Sequence, residues 1–425
     1  MKPTPVNRRG FLRGVGAVAS GAALSQFPLP ALAKTKTIKL GLVQPVTGPL
    51  AIFAEPTQFV IDAVRAQIGD SVMIQGTKHP VEIILKDSQS NSNRASSVAQ
   101  ELILNDEVDM LLATSTPDTT NPVADQAELN GVPCISNDTP WQPHFFGRQG
   151  DPAKGFDYTF HYFWGLEDVI STFMSQWDQV ATNKVVGALW PNDPDGNAWG
   201  DPAVGFPKPM ADKGYSLVDT GRFQSMTDDF SAQISAFKAA GVEIVTGVVI
   251  PPDFTTFLSQ SAQQGFAPKV INVAKASEFP QAMAALGPRA DGLSVEVWWS
   301  PHHPFNSSLT GQSSADLASA YEAETGNLWT MPLGFKHSLF EVALDALSRT
   351  EDPTDPDSIA AAIRATSLNT ITGMINFGAG PVPNIAKTPL VGGQWSVRDG
   401  KPVLDIVDNT NAPDIPLSAQ MRPIG

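Results

Sequence analysis

Cysteine is almost missing from this chain: Cys134 is the only one in 425 residues. A single cysteine can build neither an intrachain disulfide framework nor a cysteine metal cluster. Its setting, Val132-Pro133-Cys134-Ile135, reads as a buried strand in which the thiol serves as a small hydrophobe. Positive charge is scarce as well. Lysine and arginine together number 28 against 43 acids, for a net charge of −15. So acidic a surface cannot neutralise a phosphate backbone, which excludes nucleic acid as a partner. It also argues against a protein held peripherally on an anionic membrane. Beyond residue 33 no apolar run approaches the roughly 20 residues a spanning helix needs. The motifs G-x-S-x-G, H-E-x-x-H and the Walker A loop are absent. His302 and His303 are adjacent, so their side chains point apart and make a poor metal pair. No cofactor, no metal and no enzymatic activity are expected.

What is present begins at the N-terminus. Arg8 and Arg9 precede an apolar, small-residue run over 14–24, and Ala31-Leu32-Ala33 closes the segment with small residues two apart. Basic region, apolar region and A-x-A site in that order make a secretory signal peptide, and the paired arginines make it of the twin-arginine type. Gln26, Pro28 and Pro30 interrupt the apolar run, which disfavours a membrane anchor. Cleavage is expected after Ala33, placing the protein in the periplasm. That cleavage removes Lys2, Arg8, Arg9 and Arg13 and no acid, so the exported chain is more acidic still.

The rest alternates between two periodicities. Strands are expected at 38–43, 81–87, 108–113 and 133–136, with helices at 57–66, 93–104 and 122–129 between them. The alternation restarts with a helix at 168–180. Strands follow at 184–190, 215–220, 244–250 and 269–273, separated by helices at 206–213, 230–240 and 254–264. A strand at 293–298, helices at 334–348 and 357–365, and a tail rich in Gly, Pro and Asn complete the chain. Strands alternating with helices imply parallel sheets covered on both faces. The chain beyond residue 33 is longer than one core usually serves. The fold class is therefore α/β, in two units.

At this level the chain resembles the type I periplasmic substrate-binding proteins of ABC importers, the group that includes the leucine/isoleucine/valine-binding proteins. The resemblance runs through residues 36–400. It is carried by Leu40-Gly41-Leu42-Val43-Gln44-Pro45-Val46-Thr47-Gly48-Pro49, by Asp87-Ser88-Gln89-Ser90-Asn91 leading into Arg94-Ala95, and by Gly131-Val132-Pro133-Cys134-Ile135-Ser136. Asp229-Phe230-Ser231-Ala232-Gln233-Ile234 with Lys238-Ala239-Ala240-Gly241-Val242-Glu243 carries it into the second unit. The chain departs from the family where residues 67–79 replace a Gly-Gly turn and where Phe53-Ala54 stands for a Tyr-Gly. The second departure points away from an ordinary branched-chain amino-acid binder.

The resemblance implies two Rossmann-like lobes joined by three crossovers near 158–164, 294–300 and 370–377. Lobe 1 is expected to hold 34–160 plus about 296–372, and lobe 2 to hold 161–295 plus about 373–425. The ligand cleft lies between the lobes at the carboxyl ends of the strands, where open α/β sheets bind ligands on general grounds. The implied function is capture of a small molecule and its delivery to ABC permease subunits in the inner membrane by a monomeric binding protein. A ligand sensor serving a signalling receptor is the rival reading.

Nine residues are candidates for the cleft. Ser115 and Thr116 follow the third strand, where the family holds a ligand carboxylate with hydroxyls and backbone N–H groups; a plain helix cap is the alternative. Thr139 aligns with a family hydroxyl, and Trp141 sits in a Pro-flanked loop beside it. Phe53, Trp141, Trp164 and Trp298 are expected as apolar walls, with only one of Trp298 and Trp299 facing the cleft because successive strand residues alternate. Asp195 aligns with a ligand-contacting position, although Asn192, Asp193 and Asp195 also suit a simple turn. Lys275 is expected to reach a ligand carboxylate. Together these suggest a carboxylate-bearing solute with an apolar or aromatic body, with branched-chain amino acids as the alternative.

Overall fold

The computed structural model describes residues 35–425; residues 1–33, where a signal peptide is expected, lie outside the described residues. The chain folds into two α/β lobes. The first is built on β1 (Ile38–Gln44), β2 (Ser71–Ile74), β3 (Thr77–Asp87), β4 (Met110–Thr114), β5 (Cys134–Asn137) and β6 (Thr159–Tyr162). The second begins with β7 (Val185–Leu189), β8 (Ser216–Asp219), β9 (Ile244–Val249), β10 (Val270–Lys275) and β11 (Ser294–Val297). A hairpin of β12 (Ser367–Thr370) and β13 (Gly373–Asn376) follows. Then come β14 (Ile385–Ala386), β15 (Val391–Arg398) and β16 (Lys401–Asp408).

Each lobe holds a seven-stranded sheet, ordered β14-β6-β5-β4-β1-β3-β2 in the first and β16-β15-β11-β10-β9-β7-β8 in the second. Pairing is parallel through the middle of both. The antiparallel partners sit at the edges: β2 on β3, and the β15–β16 hairpin on β11.

The central strands show why the sheets are covered on both faces. In β1, Ile38, Leu40 and Leu42 join the large core while Val43 joins a second cluster on the other face. In β4, Met110 and Leu112 go one way and Leu111 and Ala113 the other. A strand apolar at every position needs helices on both sides, since successive side chains point oppositely. Gly41 is required by close approach: a Cβ there would lie 3.0 Å from Leu102 and 3.1 Å from both Val108 and Leu111. Cys134 is fully buried in the second cluster, where burial pushes its thiol up to about 12. It is therefore a packing residue and not a reactive one.

The chain passes between sheets three times. After β6 it enters the second lobe through the helix Leu166–Asp178, and after β11 it returns to build the helices Ser314–Thr325 and Met331–Arg349. The third passage falls between Ala386 and Val391, later than the expected 370–377. Ile385 and Ala386 pair in parallel with His161 and Tyr162 of β6, which keeps this stretch on the edge of the first sheet. A two-residue strand carries no period and so leaves no signal in residue order. We accordingly place the lobe boundaries near residues 163, 298 and 388. Among the described residues no helix is long and apolar enough to cross a membrane.

Candidate functional site

The carboxyl ends of the strands in both sheets converge on one cavity lined by residues of both lobes. The loops there are conformationally constrained. Ser115 (φ 76°), Thr116 (φ 69°), Asp138 (φ 56°) and Lys275 (φ 62°) all adopt left-handed backbone at or just beyond the ends of β4, β5 and β10. None is glycine, and such residues concentrate at ligand sites because the surrounding structure must hold them there.

Five aromatic side chains wall the cavity: Phe53, Phe163, Trp164, Trp199 and Trp298. Phe163 anchors the group, with ring centroids 4.7 Å from Trp164 and 5.3 Å from Trp298. Across the mouth Phe53 of the first lobe meets Phe279 of the second edge-to-face at 4.8 Å. Leu50 and Ile250 complete this apolar contact, and Gln281 donates to Glu55 at 2.5 Å beside it. The two lobes thus touch through these side chains beside the cavity.

The polar groups of the cavity fall into three sets. On the first lobe Asp138 accepts from Thr114 Oγ1 at 2.5 Å and from Lys336 Nζ at 3.4 Å, while Lys336 also donates to Ser115 Oγ at 3.2 Å. Burial raises the Asp138 carboxyl and lowers the Lys336 ammonium, and each opposes the other's shift. On the second lobe Lys275 pairs with Asp195 at 2.7 Å and Asp193 at 3.5 Å. Burial works against the Lys275 charge, but the two carboxylates hold it above its ordinary value. The third set is Glu278 and Glu296, which have no cation of their own. Burial raises both carboxyls, and Glu278 raises Glu296 further.

A family model described as "Periplasmic binding protein" matches residues 37–399. The chain belongs to the periplasmic binding protein family. Within it the chain falls in the type I, leucine-binding-protein-like group. Its relatives include a leucine-, isoleucine-, valine-, threonine- and alanine-binding protein of Pseudomonas aeruginosa, 22% identical over 342 residues, which are 80% of this chain and 86% of the relative. A leucine-binding protein from Thermotoga maritima MSB8 superposes with TM-score 0.70 at 20% identity, over 88% of this chain and 99% of that one. A solute-binding protein of an ABC transporter from R. palustris, solved with 4-hydroxybenzoate, gives TM-score 0.73 at 17% identity, over 89% and 98% of the two chains.

In this periplasmic binding protein six of the nine sequence candidates line the cavity: Phe53, Thr116, Trp164, Asp195, Lys275 and Trp298. Three do not. Ser115 lies just behind the wall and serves Lys336. Thr139 is buried against Thr120, their hydroxyls 3.2 Å apart. Trp141 packs with Phe145 and Ile385, and its Nε1 donates to Glu167 at 3.2 Å. It begins a short helix, Trp141–Phe145, that turns its indole toward the sheet edge and away from the cavity. Lys275 is present but is not free to receive an acid as expected, because Asp193 and Asp195 already hold it. Trp299 does face away from the cavity. It donates to the Ile371 carbonyl at 3.2 Å and lies over Gly334, where a Cβ would come within 2.4 Å of its ring. Thr116 is the residue before the helix Pro117–Asn130 but makes no side-chain cap, and its hydroxyl has no partner.

Sequence reading missed Asp138, Phe163, Trp199, Glu278, Glu296 and the supporting Lys336. Two carried a visible signal. Glu296 interrupts the apolar run Val295-Glu296-Val297-Trp298, and Lys336 interrupts the apolar face of Leu333-Gly334-Phe335. A charge at a position the periodicity buries needs a partner or a ligand.

Proposed function

We propose that this chain is an exported solute-binding protein. It loses residues 1–33 on export, works as a monomer in the periplasm, closes its two lobes on one small molecule and hands that molecule to the permease subunits of an ABC importer. It performs no covalent chemistry. The observation that carries the reading is the aromatic-walled cavity at the carboxyl ends of both sheets, lined by residues of both lobes. A solute bound there touches both lobes at once, and this differential contact is what favours the closed state over the open one.

The solute has an apolar or aromatic body. Five aromatic walls around a few polar groups suit such a body, since rings supply apolar area and defined contact geometry. That the solute also bears a carboxylate is a second reading, favoured by the R. palustris neighbour solved with 4-hydroxybenzoate. The name of the P. aeruginosa relative favours a branched-chain amino acid in the same way.

The test is a thermal-shift screen of amines, amides, aromatic acids and amino acids, with solution scattering on every hit. Solute at 100 times its dissociation constant stabilises by about 2.7 kcal/mol. The radius of gyration should fall on binding, and the solute should be recovered unchanged. A chemically altered product that depends on this chain would overturn the binding-only reading. Reconstitution with the neighbouring permease genes separates an importer component from a sensor.

A further inference from the structure

The electrostatics of the cavity pick out a class of solute, given the solute-capture reading above. Four acids and one ammonium line it: Asp138, Asp195, Glu278 and Glu296 against Lys275. All four acids are almost wholly buried, at 5%, 3%, 4% and 0% exposure. The two nearby lysines are committed, Lys336 to Asp138 and Lys275 to Asp193 and Asp195. That leaves Glu278 and Glu296 without a positive partner. Glu278 Oε1 accepts from the Lys275 N–H, but apart from the contact between the two glutamates themselves both oxygens of Glu296 and Oε2 of Glu278 are buried with no hydrogen bond, as are Oδ1 of Asp138 and Oδ1 of Asp195.

Of the first-lobe groups that would receive an acid, only the Thr116 hydroxyl is left without a partner. The Thr116 N–H donates to the Asp138 carbonyl at 3.1 Å, and the Ser115 hydroxyl is engaged by Lys336. The Asp138 carboxylate itself stands at that end of the cavity. A solute carboxylate would enter between Asp138 on one lobe and Glu278 and Glu296 on the other with no free cation to meet it, and buried like charges without a partner are strongly disfavoured.

We propose that the solute is a small organic cation without a carboxylate, its ammonium or amidinium group seated against Glu278 and Glu296 and its apolar body held among Phe53, Phe163, Trp164, Trp199 and Trp298. The aromatic faces reinforce the choice, because ring quadrupoles attract cations. The indole N–H groups of Trp164, Trp199 and Trp298 are also buried without acceptors. They call for a neutral acceptor on the solute, such as a hydroxyl or amide oxygen.

Matched pairs test this with the exported chain, at pH 8 by titration calorimetry: 4-hydroxybenzylamine against 4-hydroxybenzoate, and L-leucinamide against L-leucine. Within each pair the body is kept and the carboxylate is replaced or masked. The amine or amide should bind at least tenfold more tightly in at least one pair. Glu296→Gln should remove at least tenfold of that affinity. Asp138→Asn, which releases Lys336, should narrow the preference by improving binding of 4-hydroxybenzoate. This gain cannot come from misfolding, and circular dichroism of both variants checks the fold. Tighter binding of the acid or the zwitterion in both pairs, or no binding of either cation at 10 mM, overturns the charge assignment. If an acid binds and compacts the molecule, the solute-capture reading stands without it. If nothing in the broader screen binds, that reading fails too.

Discussion

The two walls of the cavity solve the problem of buried charge differently. On the first lobe Asp138 is answered from within the protein by Thr114 and Lys336, and Lys336 is shared with Ser115. On the second lobe Glu278 and Glu296 sit side by side, and three of their four carboxyl oxygens have no partner outside the pair. On the first wall the buried acid has a cation within the protein, and on the second the acids have none of their own. Removing a partner should therefore damage stability on the first wall and binding on the second.

The largest expected effect is on the first wall. Lys336→Met strands Asp138 in a buried site, and breaking such a pair from one side costs about 3 kcal/mol or more. The melting temperature should drop by several degrees, and the double variant Lys336→Met with Asp138→Leu should recover much of the loss. Equal melting temperatures for wild type and Lys336→Met would show that the first wall does not depend on its internal pair.

Next is the contact that joins the walls. Phe53→Ala removes an aromatic ring from both the cavity and the Phe53–Phe279 contact. The loss of buried apolar area and of an aromatic pair should weaken solute binding by roughly 2 kcal/mol, or more than tenfold. Titration of whichever solute compacts the molecule measures it. An unchanged affinity would place lobe closure elsewhere.

A smaller effect is a pH dependence confined to the second wall. Burial raises Glu278 from 4.5 to about 7 against the opposing Lys275 and Glu296 contacts, and burial and then Glu278 raise Glu296 well above its ordinary value. Between pH 4.5 and these raised values the folded chain holds protons that the unfolded chain has released. Stability therefore declines as pH rises through that window. Glu296→Gln removes one of the two titrating groups. The melting temperature of the solute-free wild type should fall relative to Glu296→Gln by about 2 °C or more between pH 5 and pH 8. A difference that stays flat with pH would mean the pair is not held as these contacts imply.

The smallest expected effect concerns Trp141. It lies outside the cavity, so Trp141→Phe should leave solute affinity within about twofold while losing one hydrogen bond to Glu167, worth about 1 kcal/mol of stability. A tenfold loss of affinity would restore Trp141 to the binding wall.

Much of the framework was legible from residue order. The apolar runs of β1, β4, β7 and β9 announced strands covered on both faces, and the helix Ser92–Leu104 announced itself through Ala95, Val98, Ala99 and Leu102. The helix Pro194–Trp199 was read as a turn because Pro, Asn, Asp and Gly crowd its start. Asp193 in fact caps that helix by accepting from Gly196 N at 2.7 Å, and this capping carries Trp199 into the cavity wall. The β15–β16 hairpin was hidden in a stretch that looked like an irregular tail, since antiparallel edge pairing depends on what lies beside it.

What the sequence determined by itself was periodicity: two α/β units, a family with a cleft between them, and the loops after each strand as the place to look. Those are local properties, set by where apolar side chains repeat and where turns interrupt them. What only the tertiary structure decided was charge pairing. Lys275 meets Asp195 across 80 residues and Lys336 meets Asp138 across 198. Whether a buried cation is free for a ligand or already spent depends on distances of a few ångströms between segments far apart in the chain, and Coulomb energy in a low-dielectric interior is set by those distances.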